Sequence, residues 1–235
     1  MTKIVIVGGV AGGMSAATRL RRLMEDAEII VLEKGPDVSF ANCGLPYYVS
    51  GEISNHGSLI VQTPQALQAR FGLDVRPNHE VIAIHPEKKE LTIVHGTETV
   101  TETYDYLILS GGIRNAYDAW FGNDIVTAEY TRQHFPNAYI PNAEMFALKN
   151  KLNAFKGGTI VMTLPPPPHR CPPSPYERAC LMAWHIKKNN IPGKIIILDP
   201  KPKIGPIGEG YKAAFEELYP DIITHVPNAV VKEVE

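Results

Sequence analysis

Residues 4–13 read IVIVGGVAGG, an apolar run that leads into a glycine-rich turn. The run at 4–7 is typical of a parallel strand that is buried on both faces. Beyond the turn, apolar residues recur at helical spacing, and a second apolar run follows at 28–32. This order of strand, glycine turn, helix and strand predicts an α/β fold built around a parallel sheet.

The glycine turn has the pattern of a dinucleotide site. Gly8 permits the tight turn, Gly13 permits close packing of the helix on the sheet, and the amino end of the helix offers N–H groups to a pyrophosphate. Val10 stands where the general pattern has its middle glycine. Glu33 lies twenty residues after Gly13, at the end of the second strand, where an acid can bind ribose hydroxyls. The alternative is a plain strand–helix turn that binds nothing.

The composition narrows the classes of function. The 235 residues are 44% hydrophobic and carry a formal net charge of −2, a balance that argues against nucleic acid as a partner. Apolar runs such as 195–198 are too short to cross a bilayer. With no signal-peptide layout before the first strand, the chain as written is expected in the cytoplasm, or in the periplasm if a leader has been removed.

Three cysteines, Cys43, Cys171 and Cys180, leave thiol chemistry open. Their odd, low number does not indicate a disulfide-stapled secreted domain. Because the sequence has no CxxC pair and no clustered Cys/His spacing, no metal site is predicted.

The other elements are predicted from periodicity and turn residues. Residues 37–56 are loop-like, and residues 112–141 are poorly patterned. Thr63 and Asn142 are predicted to cap helices that run to about residues 71 and 155. The remaining predictions are strands at 79–85, 90–95 and 104–110, a strand–turn–helix–strand unit at 159–198, a helix at 209–219, and one or two strands at 222–234.

Three stretches carry a family resemblance: KIVIVGGVAGGMSAATRLRR (3–22), VSFANCGLPYYVSGEI (38–53) and YDYLILSGG (104–112). Over residues 1–112 the chain resembles the coenzyme A-disulfide reductases and the related NADH oxidases, in which the same GGVAGG variant occurs. The resemblance implies FAD as the cofactor, and the position of the glycine turn at the start of the chain also favours FAD over NAD. The residues implied to contact FAD are Gly8, Val10, Ala11, Gly12, Gly13, Glu33, Lys34, Asn42, Cys43, Val81, Ser110 and Gly111.

Cys43 lies in a loop close in sequence to the predicted FAD site, which makes it a candidate redox centre. It matches the single redox-active cysteine of the coenzyme A-disulfide reductases. In that family the cysteine forms a mixed disulfide with the substrate thiol and exchanges electrons with the flavin. The alternative is a small, buried apolar residue.

The second half of the chain changes its resemblance. After the run at 157–163 come Leu164 and four prolines, which supply no N–H groups, so NAD(P) binding is expected to be absent or altered. The stretch GGTIVMTLPPPPHRCPPSPYERACLMAWHIKKNNIPGKIIILD (157–199) resembles the flavoprotein subunit of flavocytochrome c sulfide dehydrogenase and, more distantly, the sulfide:quinone oxidoreductases. This similarity covers 128–235. It implies that Cys171 is half of an active-site disulfide over the flavin, and that Cys43 carries the flavin covalently.

The residues around Cys171 favour a reactive thiol on their own. Ser174 and Glu177 read as a capping box, with Pro175 as the first helical residue. Cys171 precedes that cap by three residues and stands beside Arg170, so the helix dipole and the guanidinium both favour a thiolate. The alternative is a structural cysteine in a proline-rich connection. Cys180, within the helix, is interpreted as core packing.

The sequence thus predicts a Rossmann-like FAD-binding half-domain at 1–115 with an antiparallel β insertion, a connecting segment with a helix at 116–156, and a second Rossmann-like unit without an NAD(P) fingerprint at 157–235. The segments that close the flavin site in related proteins do not appear, so the sequence is expected to be a fragment or a stitched chain.

The leading hypothesis is an FAD-dependent sulfide or thiol/disulfide oxidoreductase that passes electrons to a cytochrome c or a quinone. One alternative is a coenzyme A-disulfide or persulfide reductase using NAD(P)H. Another is a truncated nucleotide-binding module without turnover. A second copy of the chain is left open as a partner.

Overall fold

The computed structural model describes residues 1–231. By their contacts the residues form two compact units. Unit 1 comprises Met1–Asn42 and Asn55–Asp124, and unit 2 comprises Cys43–Ser54 and Ile125–Glu235. The division of the sequence at residues 115 and 156 stays a prediction.

Short strands and helices make up both units. In chain order they are β1 (Lys3–Val7), α1 (Ala11–Leu23), β2 (Glu28–Leu32), α2 (Leu45–Ser50), α3 (Pro64–Phe71), β3 (Asp74–Arg76), β4 (Glu80–His85), β5 (Glu90–His95), β6 (Glu98–Thr103), β7 (Tyr106–Leu109), α4 (Asp118–Phe121), α5 (Ile125–His134), α6 (Ala143–Ala154), β8 (Gly158–Thr163), α7 (Ser174–Lys188), β9 (Gly193–Leu198), α8 (Gly208–Ala213) and β10 (Ile223–Val226).

Unit 1 is built on a parallel sheet in the order β3-β2-β1-β7. Alternate residues of its strands pack on opposite faces, because successive side chains of a strand point in opposite directions. The face toward α1 and α3 buries Ile4, Ile6, Ala17, Ile29, Val31 and Leu67. The other face packs on the antiparallel sheet β4-β5-β6 and buries Val5, Ile30, Leu32, Leu91 and Ile93. The predicted Rossmann-like half with its antiparallel insertion is confirmed.

Unit 2 repeats the parallel arrangement with the order β10-β9-β8. Helix α7 crosses the sheet, and its buried side chains pack with those of β9 in one core. Helix α2 packs on both α6 and α7. Tyr47 in α2 donates a hydrogen bond to Glu177 in α7 at 2.8 Å, and Nδ1 of His185 lies 3.0 Å from the carbonyl oxygen of Ser50. The predicted second βαβ unit is confirmed.

Four segments differ from the sequence-based prediction, and one of them is the short strand β3, which was not predicted. Residues 37–56 contain a helix, α2, because Leu45, Tyr48 and Val49 bury apolar surface on neighbouring helices that the local sequence does not reveal. Strand β6, at Glu98–Thr103, was not predicted since its threonines and glutamates lie largely in solvent and give no apolar alternation. The poorly patterned segment 112–141 contains α4 and α5.

Two of the three predicted helix caps, Thr63 and Asn142, are confirmed. The Thr63 hydroxyl accepts a hydrogen bond from the N–H of Ala66 at 3.2 Å, and the Asn142 amide oxygen accepts one from Glu144 at 2.9 Å. The predicted helix at 209–219 is α8, which continues as a π-helical turn at Ala214–Leu218.

One further strand was expected after β10. Residues 229–231 form no strand, and residues 232–234 of that prediction lie outside the described residues. Within residues 1–231, no helix combines the length and apolar character that a bilayer crossing requires.

Candidate functional site

The glycine turn of unit 1 is built on two backbone positions that only glycine fits. Gly8 has φ +102°, and a Cβ there would overlap the carbonyl group of Ser110. A Cβ on Gly13 would overlap the carbonyl oxygen of Gly8, because the first turn of α1 lies directly against the end of β1. The roles predicted for these two glycines, a tight turn and close helix packing, match this geometry.

Ser110 forms the other wall of the turn. Its N–H donates to the carbonyl of Val7 at 2.7 Å, which holds the residue after β7 beside the end of β1. A Cβ on Gly12 would overlap the Ser110 hydroxyl oxygen. The sequence linked Gly12 and Ser110 to the cofactor only through the family resemblance. Their mutual approach comes from the pairing of β1 with β7, which local sequence does not carry.

The amino end of α1 is accessible. Val10 precedes the helix with φ −99°, so this position does not require the left-handed backbone that favours glycine. Ala11 and Gly12 are exposed. The first N–H groups of a helix have no intrahelical acceptors, and the dipole there is positive. These residues therefore fit the pyrophosphate of a dinucleotide.

Glu33 directly follows β2 and faces this turn. One carboxylate oxygen accepts from the N–H of Gly9 at 2.6 Å and the other from Gly35 at 2.8 Å. A carboxylate offers about four acceptor positions, so Glu33 keeps capacity for ribose hydroxyls. Its predicted role is compatible with its place, although the two backbone contacts were not foreseen.

Three other residues of unit 1 that were predicted to contact the cofactor show no contact with the glycine turn among those described above. Lys34 is exposed and pairs with Glu80 at 2.6 Å. Val81 packs against the core between the two sheets, and Asn42 is exposed. Their contact with FAD stays a prediction, as does that of Gly111.

Cys43 lies in a 3-10 turn, Asn42–Gly44, that leads into α2. Its thiol is exposed, which contradicts the alternative of a buried apolar residue. Cys43 belongs to unit 2, since α2 packs on α6 and α7. The structure thus groups Cys43 with Cys171 in one unit.

Cys171 is also exposed, and it has φ +50°, in the left-handed region. Its carbonyl oxygen accepts a hydrogen bond from the N–H of Ser174 at 3.0 Å, so a turn connects it to α7. A non-glycine residue held at positive φ is a feature often found at functional sites.

The predicted capping box is wrong. Helix α7 begins at Ser174 with Pro173 as its N-cap, and no side chain caps it. The fixed φ of Pro173 brings the chain into the helix one residue earlier than predicted. Glu177 accepts its hydrogen bond from Tyr47 instead of turning back to the cap.

Cys180 differs from the other two cysteines. It is half-buried among the residues packed on the unit 2 core. Burial, together with the nearby Glu177 charge, raises the pKa of its thiol to about 11. The interpretation of Cys180 as a packing residue agrees with this environment.

A clamp of buried charges near Cys171 was missed by the sequence. The Arg178 guanidinium donates to the carbonyls of Asn137 and Ala138, and the Glu144 carboxylate accepts from the N–H groups of the same two residues. Arg178 also lies 3.9 Å from the ring centroid of Tyr139. Burial raises the pKa of Tyr139 above its usual value. The charge of Arg178 and a hydrogen bond with Ser174 offset part of that rise.

This clamp fixes the loop that carries Tyr139 against the first residue of α7. The N–H of Ser174 in turn donates to the carbonyl oxygen of Cys171, so the chain of contacts ends at the backbone of the residue that carries the exposed thiol. No spacing in the sequence pairs residues 137–139 with α7, and only the tertiary packing brings them together. Within residues 1–231, no group of three or more metal-ligating side chains is assembled.

Two family models match the chain. Residues 2–151 match the pyridine nucleotide-disulphide oxidoreductase family, and residues 145–235 match the central part of the flavoprotein chain of sulfide dehydrogenase (flavocytochrome c). The first match spans more than half of the sequence, and the chain belongs to the pyridine nucleotide-disulphide oxidoreductase family. Within that family, the first part of the chain is similar to coenzyme A disulfide reductases, and the second part is similar to the sulfide dehydrogenase flavoprotein. FAD is the cofactor of this class, as predicted.

Coenzyme A disulfide reductases are among the relatives. That of Staphylococcus epidermidis (strain ATCC 35984) is 46% identical over 114 residues, which are 48% of this chain and 26% of the relative. That of Staphylococcus aureus (strain JH9) is 42% identical over 127 residues, 53% of this chain and 29% of the relative. The chain thus matches about a quarter of the length of these relatives.

Solved structures share the fold along the chain. Reduced CoADR-RHD of Bacillus anthracis aligns with a TM-score of 0.70 and 30% identity, over 96% of this chain and 38% of its own. The sulfide:quinone oxidoreductase of Aquifex aeolicus aligns at 0.69 with 22% identity, over 100% and 53%. The NAD-dependent persulfide reductase of A. fulgidus aligns at 0.73 with 21% identity, over 97% and 39%. The last two show the fold alone, and the predicted fold class is confirmed.

Proposed function

We propose that this chain is the nucleotide- and thiol-bearing part of an enzyme that oxidises sulfide or a thiol and passes the electrons through FAD to a cytochrome or a quinone. The observation that carries the proposal is Cys171, an exposed thiol at positive φ before α7, inside the segment that matches sulfide dehydrogenase. Cys43 adds a second exposed thiol in the same unit.

The residues of unit 1 would hold the cofactor. The N–H groups at the start of α1 would bind the pyrophosphate, and the Glu33 carboxylate would accept from the adenosine ribose. Gly8 and Gly12 keep side chains out of the space where the turn approaches Ser110, and Gly13 lets α1 pack against Gly8. FAD, when bound, would supply a two-electron acceptor for thiol chemistry.

Cys171 would act as the electrophile for sulfide. Cys171 is a free thiol in this structure, so the step would follow its oxidation to a disulfide with a partner thiol. Hydrosulfide would then attack the Sγ of Cys171, one S–S bond would form and the original S–S bond would break. Cys171 becomes a persulfide, and its former partner leaves as a thiolate. The sulfide sulfur has then lost two electrons and the disulfide has gained them. Transfer of the persulfide sulfur to another thiolate would leave a pair of reduced cysteines, which hold the two electrons that a bound FAD would be able to accept.

The Arg178 and Glu144 clamp would position this chemistry. It holds Tyr139 against Ser174, and so fixes the turn on which Cys171 is displayed. An exposed thiol on a fixed turn can be approached by a small anion from solvent.

Anaerobic titration with sulfide tests the proposal. We expect sulfide to bleach the visible flavin band of the FAD-loaded protein, and Cys171→Ser to retain the band under the same conditions. Cys180→Ala is the matched control, since that thiol lies in the core, and it should bleach like the wild type. If sulfide leaves the wild-type band unchanged while dithionite bleaches it, the proposal fails.

A second candidate is a coenzyme A-disulfide reductase that uses Cys43 and NAD(P)H. It is favoured by the 46% identity with the Staphylococcus epidermidis enzyme over 114 residues and by the exposure of Cys43. For this candidate, NADH or NADPH should reduce the flavin, and coenzyme A disulfide should reoxidise it. The reoxidation should be lost in Cys43→Ser and kept in Cys171→Ser. Intact mass measurement adds a separate criterion: a flavin-sized mass on the Cys43 peptide would select the covalent flavoprotein.

A further inference from the structure

The acid that follows the second strand of unit 2 is buried and fully engaged. Asp199 directly follows β9, as Glu33 directly follows β2 in unit 1. In dinucleotide-binding folds, an acid at this place accepts hydrogen bonds from ribose. Glu33 is partly exposed, but Asp199 has no exposed surface.

The carboxylate of Asp199 is occupied by four polar atoms. Oδ1 accepts from the Lys201 N–H at 2.9 Å and lies 2.8 Å from the Lys201 Nζ. Oδ2 accepts from the Tyr176 hydroxyl at 2.5 Å and lies 3.0 Å from the Nε2 of His225. Four contacts use about all the acceptor capacity of a carboxylate, so no position remains for a ribose hydroxyl.

Tyr176 fills the space above the strand end. It is the third residue of α7, and its side chain has no exposed surface. The ring is enclosed by Tyr211 at 5.5 Å and His225 at 6.2 Å between centroids, and by Gly205, whose N–H lies 3.4 Å from the Tyr176 hydroxyl. The third residue of α1 is Gly13, which has no side chain.

A dinucleotide needs this space in two ways. The pyrophosphate must approach the first turn of the helix, and the ribose must reach the acid. In unit 2 the Tyr176 ring lies in the first turn, and its hydroxyl holds the acid. Residues 164–173 before α7 add prolines that donate no N–H groups.

We propose that Tyr176 and Asp199 close unit 2 to nicotinamide dinucleotides and thereby determine which electron carriers this protein accepts. Tyr176 excludes the pyrophosphate and adjoining ribose by volume. Asp199 supplies no free acceptor, because its oxygens are bound within the protein. The inference goes beyond the proposed function and holds whichever sulfur compound reacts at Cys171.

Isothermal titration calorimetry of NADH and NADPH against the purified, FAD-loaded protein tests the inference, because bound FAD occupies the unit 1 turn, which also fits a dinucleotide. We expect no saturable binding to the wild type up to about 1 mM, the upper end of the usual range for enzyme substrates. Tyr176→Ala removes the ring and frees one acceptor position on Asp199 Oδ2, and it should bind NADH measurably at that concentration. Tyr211→Phe, which alters a neighbouring aromatic residue that does not contact Asp199, is the matched control and should not bind.

Two results would overturn the inference. One is saturable binding of either nucleotide to the wild type below about 1 mM. The other is a Tyr176→Ala variant that unfolds cooperatively yet binds neither nucleotide. The wild-type titration decides the matter even if Tyr176→Ala does not fold, and sulfide bleaching of the flavin is a separate readout that this outcome does not change.

Discussion

The two parallel-sheet units of this chain place different residues at the same point of the same topology. In unit 1 the connection from β1 to α1 is three residues, 8–10, and two of them are glycine. In unit 2 the connection from β8 to α7 is ten residues, 164–173, and six of them are proline. The first turn leaves the amino end of its helix open, and the second carries Cys171.

The shared topology positions a helix amino end and an acid at one edge of each sheet, and the side chains determine whether that edge can bind a dinucleotide. A parallel strand–helix–strand unit brings a helix amino end and an acid to one edge of the sheet. In unit 1 these groups are accessible and fit a dinucleotide. In unit 2 the acid is bound by Tyr176, and the long connection displays a thiol. The chain therefore combines a glycine turn that fits a cofactor, at 8–10, with a proline-rich connection that carries an exposed thiol, at 164–173.

The largest effect is expected from Gly13→Ala. The new Cβ would overlap the carbonyl oxygen of Gly8, so α1 must move off the sheet, and we expect a loss of about 3 kcal/mol or more together with loss of FAD binding. Urea denaturation and FAD retention on gel filtration measure the two effects. Gly111→Ala, where a Cβ meets nothing within 4 Å, is the stability control. Equal stability of the two variants would contradict the close packing at the turn.

Cysteine reactivity gives the next largest contrast. The pKa of Cys180 is raised from 9.0 to about 11, so its thiolate fraction at neutral pH falls about 100-fold, and alkylation should slow accordingly. Peptide mass mapping after brief treatment with iodoacetamide should find Cys43 and Cys171 labelled and Cys180 unlabelled. The Cys180 rate should rise steadily as pH approaches 11. Labelling of all three thiols at equal rates at neutral pH would contradict the burial of Cys180 and its raised pKa.

Asp199→Asn is expected to have an intermediate effect on stability. Although burial opposes it, the partners Lys201, Tyr176 and His225 lower the Asp199 pKa from 3.8 to about 2. A depressed folded-state pKa stabilises the protein above the unfolded-state pKa and loses that contribution as pH falls toward 2, so the loss at pH 7 should be about 2 kcal/mol.

Urea denaturation of wild type and Asp199→Asn between pH 3 and 7 measures that contribution. The difference in free energy of unfolding should be full near pH 7 and shrink below about pH 4. Asp118→Asn, which removes an exposed ion pair with Arg114, should leave the free energy unchanged at pH 7. A difference that is independent of pH would rule out ionisation of Asp199 as its source.

The smallest effect is expected from Tyr47→Phe. The substitution removes the 2.8 Å hydrogen bond to Glu177 that joins α2 to α7, which should cost about 1 kcal/mol. Thermal unfolding monitored by circular dichroism detects a change of this size. A rise in the reactivity of Cys43 in this variant would show that α2 has loosened. An unchanged free energy of unfolding would mean that the hydrogen bond between Tyr47 and Glu177 is not formed in solution.

The sequence predicted the features that depend on neighbouring residues. Gly8 and Gly13 were identifiable because their backbone requirements appear as glycines at fixed spacing around a strand and a helix. Thr63 and Asn142 were identifiable because a cap binds within three residues of itself. The local sequence pattern does not indicate that Cys43 and Cys171 are exposed, nor which residues bind the Asp199 carboxylate.

Features that rest on distant partners were missed or misassigned. Helix α2 forms because its apolar residues are buried on α6 and α7, and nothing within 45–50 specifies those neighbours. The Ser174 and Glu177 pair has the spacing of a capping box, yet Glu177 binds Tyr47, 130 positions earlier in the chain. Tyr176 and Asp199 are 23 positions apart, and their contact depends on where two side chains point.

The most direct test of sulfur chemistry at Cys171 is peptide mass mapping of the oxidised, FAD-loaded protein after brief anaerobic reaction with sulfide. We expect the added mass of one sulfur atom on the peptide that contains Cys171 before the flavin is reduced, and none on the peptide that contains Cys180. A sulfur atom found only on Cys43, or on no cysteine at any time before the flavin is reduced, would contradict sulfur chemistry at Cys171.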